Sequence, residues 1–354
     1  MLHSRPGAPT GSGASPDGQG SVRAPTARAG WLSVLFVALA LIIVASIALG
    51  SKTIGFGTVF HALVHDTGST NDIVVRGLRV PRTLLGLAVG ASLGLAGAVM
   101  QGVTRNPLAD PGILGVNAGA SLAVVLGVFV FGVTTPLGYV WFAFAGAAAA
   151  SIAVYVLGSR GRRGATPVTL ALAGAAMTAF LGSLTTAILL NDSAVYSTFR
   201  FWSVGSLTGR SSHVLIEVLP FLVVGTVMAL ASAPALNVLG LGDDAARSLG
   251  QRVERARALA ATSVLLLVGG AVSAAGPIAF IGLIVPHIAR AIVGPDYRWV
   301  MPYSAVLGAI LLLGADIIGR LVVRPSEIEV SIITAVIGTP VFIAMIRRSK
   351  IAEL

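Results

Sequence analysis

Residues Trp31–Leu49 run for nineteen positions without one charged side chain. A helix needs about 20 such residues to cross the hydrocarbon core, where every backbone polar group must be satisfied inside the segment. Further predominantly apolar runs follow at 83–101, 112–132, 137–158, 167–190, 214–232, 258–275, 278–293, 301–319 and 328–346. Charged residues make up only 11% of the chain, against about 25% in an ordinary soluble domain. The expected fold is therefore all-α, a polytopic membrane protein of about ten transmembrane helices. The eighth run is short, and Pro286 is expected to interrupt it. Phe199–Leu207 is mostly apolar but too short to span, so it is expected as a half-buried helix in a loop.

Two domains are expected. Residues 1–30 are rich in Gly, Pro, Ser and Ala, lack apolar periodicity, and read as a disordered cytoplasmic tail. A signal peptide is the competing reading, but the run after Trp31 is long for one and no clear A-x-A site follows. Residues 31–350 then form the membrane domain. With the N-terminus placed inside, sixteen of the 24 Lys and Arg residues fall on the cytoplasmic side. The other eight are Lys52, Arg76, Arg79, Arg82, Arg200, Arg210, Arg320 and Arg324. This bias follows the positive-inside rule and puts both termini in the cytoplasm of a multi-pass cell-membrane protein. It accounts for the +10 net charge without any nucleic acid.

Several chemistries have no visible carrier. The absence of cysteine excludes disulfides and thiolate metal sites. His61 and His65 sit at i, i+4 but read as a pair in an extracellular loop. Neither lysine follows a glycine, so there is no P-loop, and any ATPase must be another subunit. No cofactor or metal ligand set is visible on this chain, and no paired acids or activated nucleophile mark an enzyme. Asp316 lies inside a span, which makes it a functional candidate by default. A structural role, paired with Arg320 one turn away, is the preferred reading, and Glu217 is the one other carboxylate of this kind. Gly86, Gly90, Gly94 and Gly97 form a small-residue ladder, and Gly115 and Gly119 repeat the spacing on the next span. In lipid such ladders let helix backbones approach closely.

Two connecting segments stand out. The loop 231–257 carries Leu241, Ala245, Leu249 and Val253 at helical spacing among charges, an amphipathic helix able to lie at the interface or dock a soluble partner. The link 101–112 reads QGVTRNPLADPG, a stiff proline-bearing turn.

Five segments in fixed order carry a resemblance: RVPRTLLGLAVGASLGLAGAVMQGVTRNPLADPGILGVNAGA (79–120), FWSVGSLTGR (201–210), LNVLGLGDDAARSLG (236–250), GPIAFIGLIVPHIAR (276–290), and GADIIGRL with GTPVF (314–321, 338–342). Together they resemble the FecCD family of ABC importer permeases, which serve ferric siderophores, haem and vitamin B12. The resemblance covers roughly residues 50–350 and implies a BtuC-like permease fold. It also implies a pore shared with a second permease subunit, two cytoplasmic ATPase subunits that use the ATP, and an extracytoplasmic binding lipoprotein. Arg79, Arg82 and Arg320 match outward-facing arginines that meet glutamates of the binding protein. Asn106 and Leu108 match a cytoplasmic gate loop. The other gate element falls near Thr166, Pro167, Val168 and Thr169 and is left unassigned. Gly242, Asp243, Ala245, Leu249 and Gly250 match the coupling helix that sits on the ATPase. FWSVGSLTGR resembles siderophore permeases more than cobalamin ones. A permease for vitamin B12 or haem is the alternative, and an ion-coupled secondary carrier the alternative of another class, though it needs midplane carboxylates that are scarce here.

Overall fold

The computed structural model describes residues 25–51, 54–65, 67–160 and 166–351. Residues 1–24 of the expected tail lie outside the described residues. In chain order the helices are α1 (Pro25–Ala48), α2 (Phe56–Val64), α3 (Thr70–Asp72), α4 (Val80–Thr104), α5 (Val116–Phe131), α6 (Pro136–Ser159) and α7 (Pro167–Asn191). They continue with α8 (Ser193–Ser203), α9 (Ser212–Leu239), α10 (Asp243–Ser248), α11 (Val253–Ala275), α12 (Ile281–Val293), α13 (Tyr297–Val322) and α14 (Val330–Ile351). A π-helical stretch, Ile73–Arg79, joins α3 to α4, and a 3-10 turn, Pro111–Leu114, leads into α5. The described residues contain no strand.

Each of the ten expected spans is a helix. Seven are long and apolar enough to cross a membrane, and Val116–Phe131, Ile281–Val293 and Val330–Met345 are shorter apolar helices. The first begins at Pro25, so residues 25–30 are helical and belong to α1 instead of the tail.

α4 is the axis of the bundle. It packs on α9, α11, α12 and α13. The most apolar stretch of its span is 78% buried, against 11% for α1 and for α7. Its glycine ladder makes this packing possible. A Cβ on Gly94 would stand 2.1 Å from the Ser304 carbonyl oxygen of α13, and one on Gly97 would stand 1.9 Å from the Gly282 carbonyl oxygen of α12. Gly90 meets Gly308 of α13, and Gly119 of α5 meets Gly146 of α6, in the same backbone-to-backbone way.

The expected break at Pro286 does not occur, and α12 is a single helix. Proline offers no N–H to the carbonyl four residues earlier, that of Gly282. Gln101 of α4, itself buried, supplies the missing donor: its Nε2 donates to Gly282 O at 3.3 Å and to Leu283 O at 3.0 Å. In a bilayer a neighbouring helix must satisfy carbonyls freed by proline.

Two loop expectations are corrected. The half-buried helix begins at Ser193 and ends at Ser203, because Asp192 caps it through Ala194 N (2.9 Å) and Val195 N (3.0 Å). The amphipathic helix is shorter than its periodicity suggests. Gly242 and Gly250, with φ of 104° and 80°, bound it on either side. Leu241 and Leu249 are each 66% exposed, while Ala246 and Val253 are buried. The segment between α1 and α4, expected as a loop, carries α2, α3 and the π-helical stretch, and the last two run on into α4 as one helical run, Thr70–Thr104. His61 and His65 stack at the end of α2 with ring centroids 4.9 Å apart.

Candidate functional site

The sequence-derived candidates gather at opposite ends of the bundle, which α4 connects. At the end where α4 begins, α1 terminates with no basic residue in its last turn to satisfy its carbonyls. Arginines from other helices do so. Arg79 Nη1 donates to Ile47 O at 2.9 Å and Ala48 O at 2.7 Å. Arg320 Nη1 donates to Ser46 O at 2.9 Å and Leu49 O at 3.1 Å, and its Nη2 donates to Ser46 Oγ at 2.9 Å. Positive charge at a helix C-terminus also meets the negative end of the helix dipole.

Asp316 of α13 sits among these arginines. Its carboxylate, 1% exposed, pairs with Arg320 one turn on at 2.8 Å and with Arg82 at 2.7 Å. Arg82 pairs in addition with Glu327, in the α13–α14 connection, at 2.6 Å. Partial burial disfavours the ionised Glu327 carboxyl, but the hydrogen bond and charge of Arg82 outweigh this and hold it below the ordinary value. The structural role expected for Asp316 is thus present, with a second arginine that the local spacing does not reveal.

The three arginines expected to meet a binding protein are held by partners within the chain. Arg79 and Arg320 are buried, and 12% of the Arg82 side chain is exposed. The cause is local: carbonyl groups and a carboxylate held away from water bind guanidinium groups more strongly than solvent does. The three still border one recess of about 350 Å³, shared with Gly50, Thr208, Arg210 and Glu327. Arg210 was not singled out from the sequence, although it closes FWSVGSLTGR. Burial lowers its pKa, against the opposing field of Glu329.

At the other end of α4, the chain turns at Arg105 and enters the link expected as a gate loop. Asn106 and Leu108 are both exposed, and Asn106 Oδ1 accepts from Leu108 N at 2.9 Å. Ala109 N returns to Asn106 O at 3.1 Å, and Asp110 Oδ1 accepts from Gly112 N at 2.7 Å. Burial raises the Asp110 pKa, opposed by that backbone hydrogen bond. Thr166–Thr169, the region left unassigned, lies at the start of α7. Thr166 is its N-cap, forming a reciprocal capping box with Thr169. Thr166→Ala is expected to destabilise this first turn by about 1 kcal/mol. Amide exchange should accelerate over residues 168–170 while α6 is unaffected.

The expected coupling residues lie beside this loop. Gly242 precedes α10, Asp243 opens it, Ala245 is half-buried within it, and Leu249 and Gly250 close it. Asp243 pairs with Arg257 of α11 at 3.0 Å and with Arg105 at 3.3 Å. Arg247 pairs with Glu254 at 3.1 Å. The described residues hold no group of three or more His, Cys, Asp or Glu side chains able to bind a metal ion.

The profile of the FecCD transport family matches residues 38–348. A probable siderophore transport system permease protein of Bacillus subtilis, YfiZ, is 43% identical over 317 residues, which is 90% of this chain and 95% of the relative. The ferric enterobactin transport system permease protein FepD of Escherichia coli is 46% identical over 320 residues, covering 90% of this chain and 94% of the relative. Among solved structures, an inward-facing conformation of a metal-chelate type ABC transporter superposes with a TM-score of 0.81 at 26% identity. It covers 90% of this chain and 99% of that one.

Proposed function

The chain belongs to the FecCD transport family, and from that premise we propose that it is the permease subunit of an ATP-driven importer for a ferric siderophore. The observation that carries this reading is similarity along nearly the whole membrane domain to permeases named for siderophore and ferric enterobactin transport. The chain has no P-loop, so hydrolysis is assigned to a cytoplasmic ATPase pair. Capture of the chelate is assigned to an extracytoplasmic binding protein. The thinly covered α7 is a face on which a second permease subunit, identical or a sister, would complete the pore.

The charge bias orients the molecule with both termini in the cytoplasm. The Arg82 end then faces outward and the Asp243 end inward. Docking of the binding protein is assigned to the outer recess, where Arg82 is the arginine a carboxylate would reach and Arg79 and Arg320 shape the wall. Asn106 and Leu108 border the inner mouth as a gate. The segment from Gly242 to Gly250 contacts the ATPase, a role supported by Leu241 and Leu249, large apolar side chains left bare at a charged end.

Uptake of radiolabelled iron, given as the organism's own ferric siderophore, tests the reading. Deletion of the gene should abolish uptake and the gene supplied in trans should restore it. Unchanged uptake, with growth on haem or vitamin B12 lost instead, would overturn the cargo assignment and leave the permease assignment standing.

A further inference from the structure

Arg105 ends α4 in the left-handed conformation, φ 52° and ψ 31°. Among the described residues only Arg105 and Phe280 do so without being glycine. Glycine is the usual residue at such a helix stop because it lacks a Cβ to crowd the backbone. An arginine there sacrifices backbone ease for what its side chain reaches.

That side chain reaches the coupling segment. Arg105 Nη2 lies 3.3 Å from Asp243 Oδ1. Its other terminal nitrogen passes Gly242, standing 3.6 Å from where a Cβ of that glycine would be. The same carboxylate is also held by Arg257 of α11 at 3.0 Å. Asp243 therefore joins α10 to α11 through one arginine and to the end of α4 through the other. The residue after Arg105 is Asn106, and from there to Gly112 the loop is cross-braced by its own hydrogen bonds. A displacement of Asp243 delivered to Arg105 would thus reach the loop as a unit.

The exposures of the pair bear on its role. The Arg105 side chain is 38% exposed and that of Asp243 25%. Ion pairs this open to water contribute little to fold stability. What such a pair does supply is a directional contact between two segments that are 138 positions apart in sequence and otherwise separate elements.

We propose that Arg105 is a positioning residue for energy coupling: through Asp243 it ties the ATPase-facing segment to the gate loop, so that movement of one moves the other. The proposal rests on the ATP-driven importer reading.

The chain contains no cysteine, so Leu108→Cys places one unique thiol on the gate loop. The permease, reconstituted in vesicles with its ATPase and binding protein, is labelled with a maleimide fluorophore with and without ATP. With Arg105 present, ATP should change the labelling rate by about fivefold or more. In R105A that change should vanish while ATP hydrolysis stays near the wild-type rate, and R105K should restore much of it. The proposal is overturned if ATP leaves labelling unaltered with Arg105 present. It is equally overturned if R105A keeps the full change, if R105A loses hydrolysis in parallel, or if R105K does no better than R105A. Ferric siderophore uptake is scored on the same vesicles. Uptake missing while labelling still responds to ATP would fault the cargo reading and leave the Arg105 role intact.

Discussion

Asp316→Asn is expected to destabilise the folded protein by about 3–5 kcal/mol, enough to remove most of the monodisperse material extracted in mild detergent. The Asp316 carboxylate, 1% exposed, is the shared counter-charge of Arg82 and Arg320. An amide of the same shape keeps the volume and removes the charge. It leaves two guanidinium groups facing each other, with Glu327 pairing only the outer one. Removing one member of a buried ionic group costs far more than the intact group contributes, because the remaining charges, Arg320 at 3% and Arg82 at 12% exposure, have little water to replace the lost partner. Glu327→Gln is the matched control. Glu327 is 24% exposed, so its loss should cost about 1 kcal/mol or less. Thermal unfolding of the purified subunit followed by size-exclusion chromatography separates the two. A wild-type profile for the Asp316 variant would show that Arg82 and Arg320 need no buried counter-charge.

Gly97→Leu is the second large effect expected, and it arises from sterics alone. The first added carbon would stand 1.9 Å from the carbonyl oxygen of Gly282. That oxygen is backbone, so no rotamer change can make room, and α4 and α12 would have to part. The strain belongs at the upper end of overpacking costs, about 3 kcal/mol or more. It also pulls Gln101 away from the carbonyls freed by Pro286, exposing unpaired groups inside the membrane. Gly182→Leu on α7 tests the specificity, since a Cβ there meets nothing within 4 Å. The second variant should accumulate at the wild-type level and the first should not. Equal accumulation of both would contradict the close approach of α4 and α12.

These two sites also mark what the sequence makes legible. The ten spans could be read because bilayer thickness fixes how long a span must be, whatever its neighbours. The glycine ladder could be read as close packing, but its partners Ser304, Gly308 and Gly282 could not, since nothing local points to them. The partners of the arginines are hidden for a related reason. The resemblance implies an extracytoplasmic docking role for them and names no partner within the chain. What turns Arg79 and Arg320 inward are the bare carbonyls of α1, and what turns Arg82 inward is a carboxylate 234 positions away. The extent of the helix in the coupling segment is hidden differently. Leu241, Ala245, Leu249 and Val253 keep helical spacing on paper, yet Gly242 and Gly250 take backbone angles that no continuous helix can contain. Periodicity was counted across two stops. The link between Arg105 and Asp243 left no trace at all, because an ion pair between two loops has no period.

The backbone-to-backbone contacts of α4 with α12 and α13 carry a further consequence for motion. A seam filled by side chains can shear, because rotamers exchange as one ridge slides over the next. Where Gly90 meets Gly308 and Gly97 meets Gly282 there are no rotamers to exchange. These helices must travel as one keel, and a change between open and closed shapes has to be absorbed where contacts are sparse, along the thinly covered α7 and in the short connections at its ends.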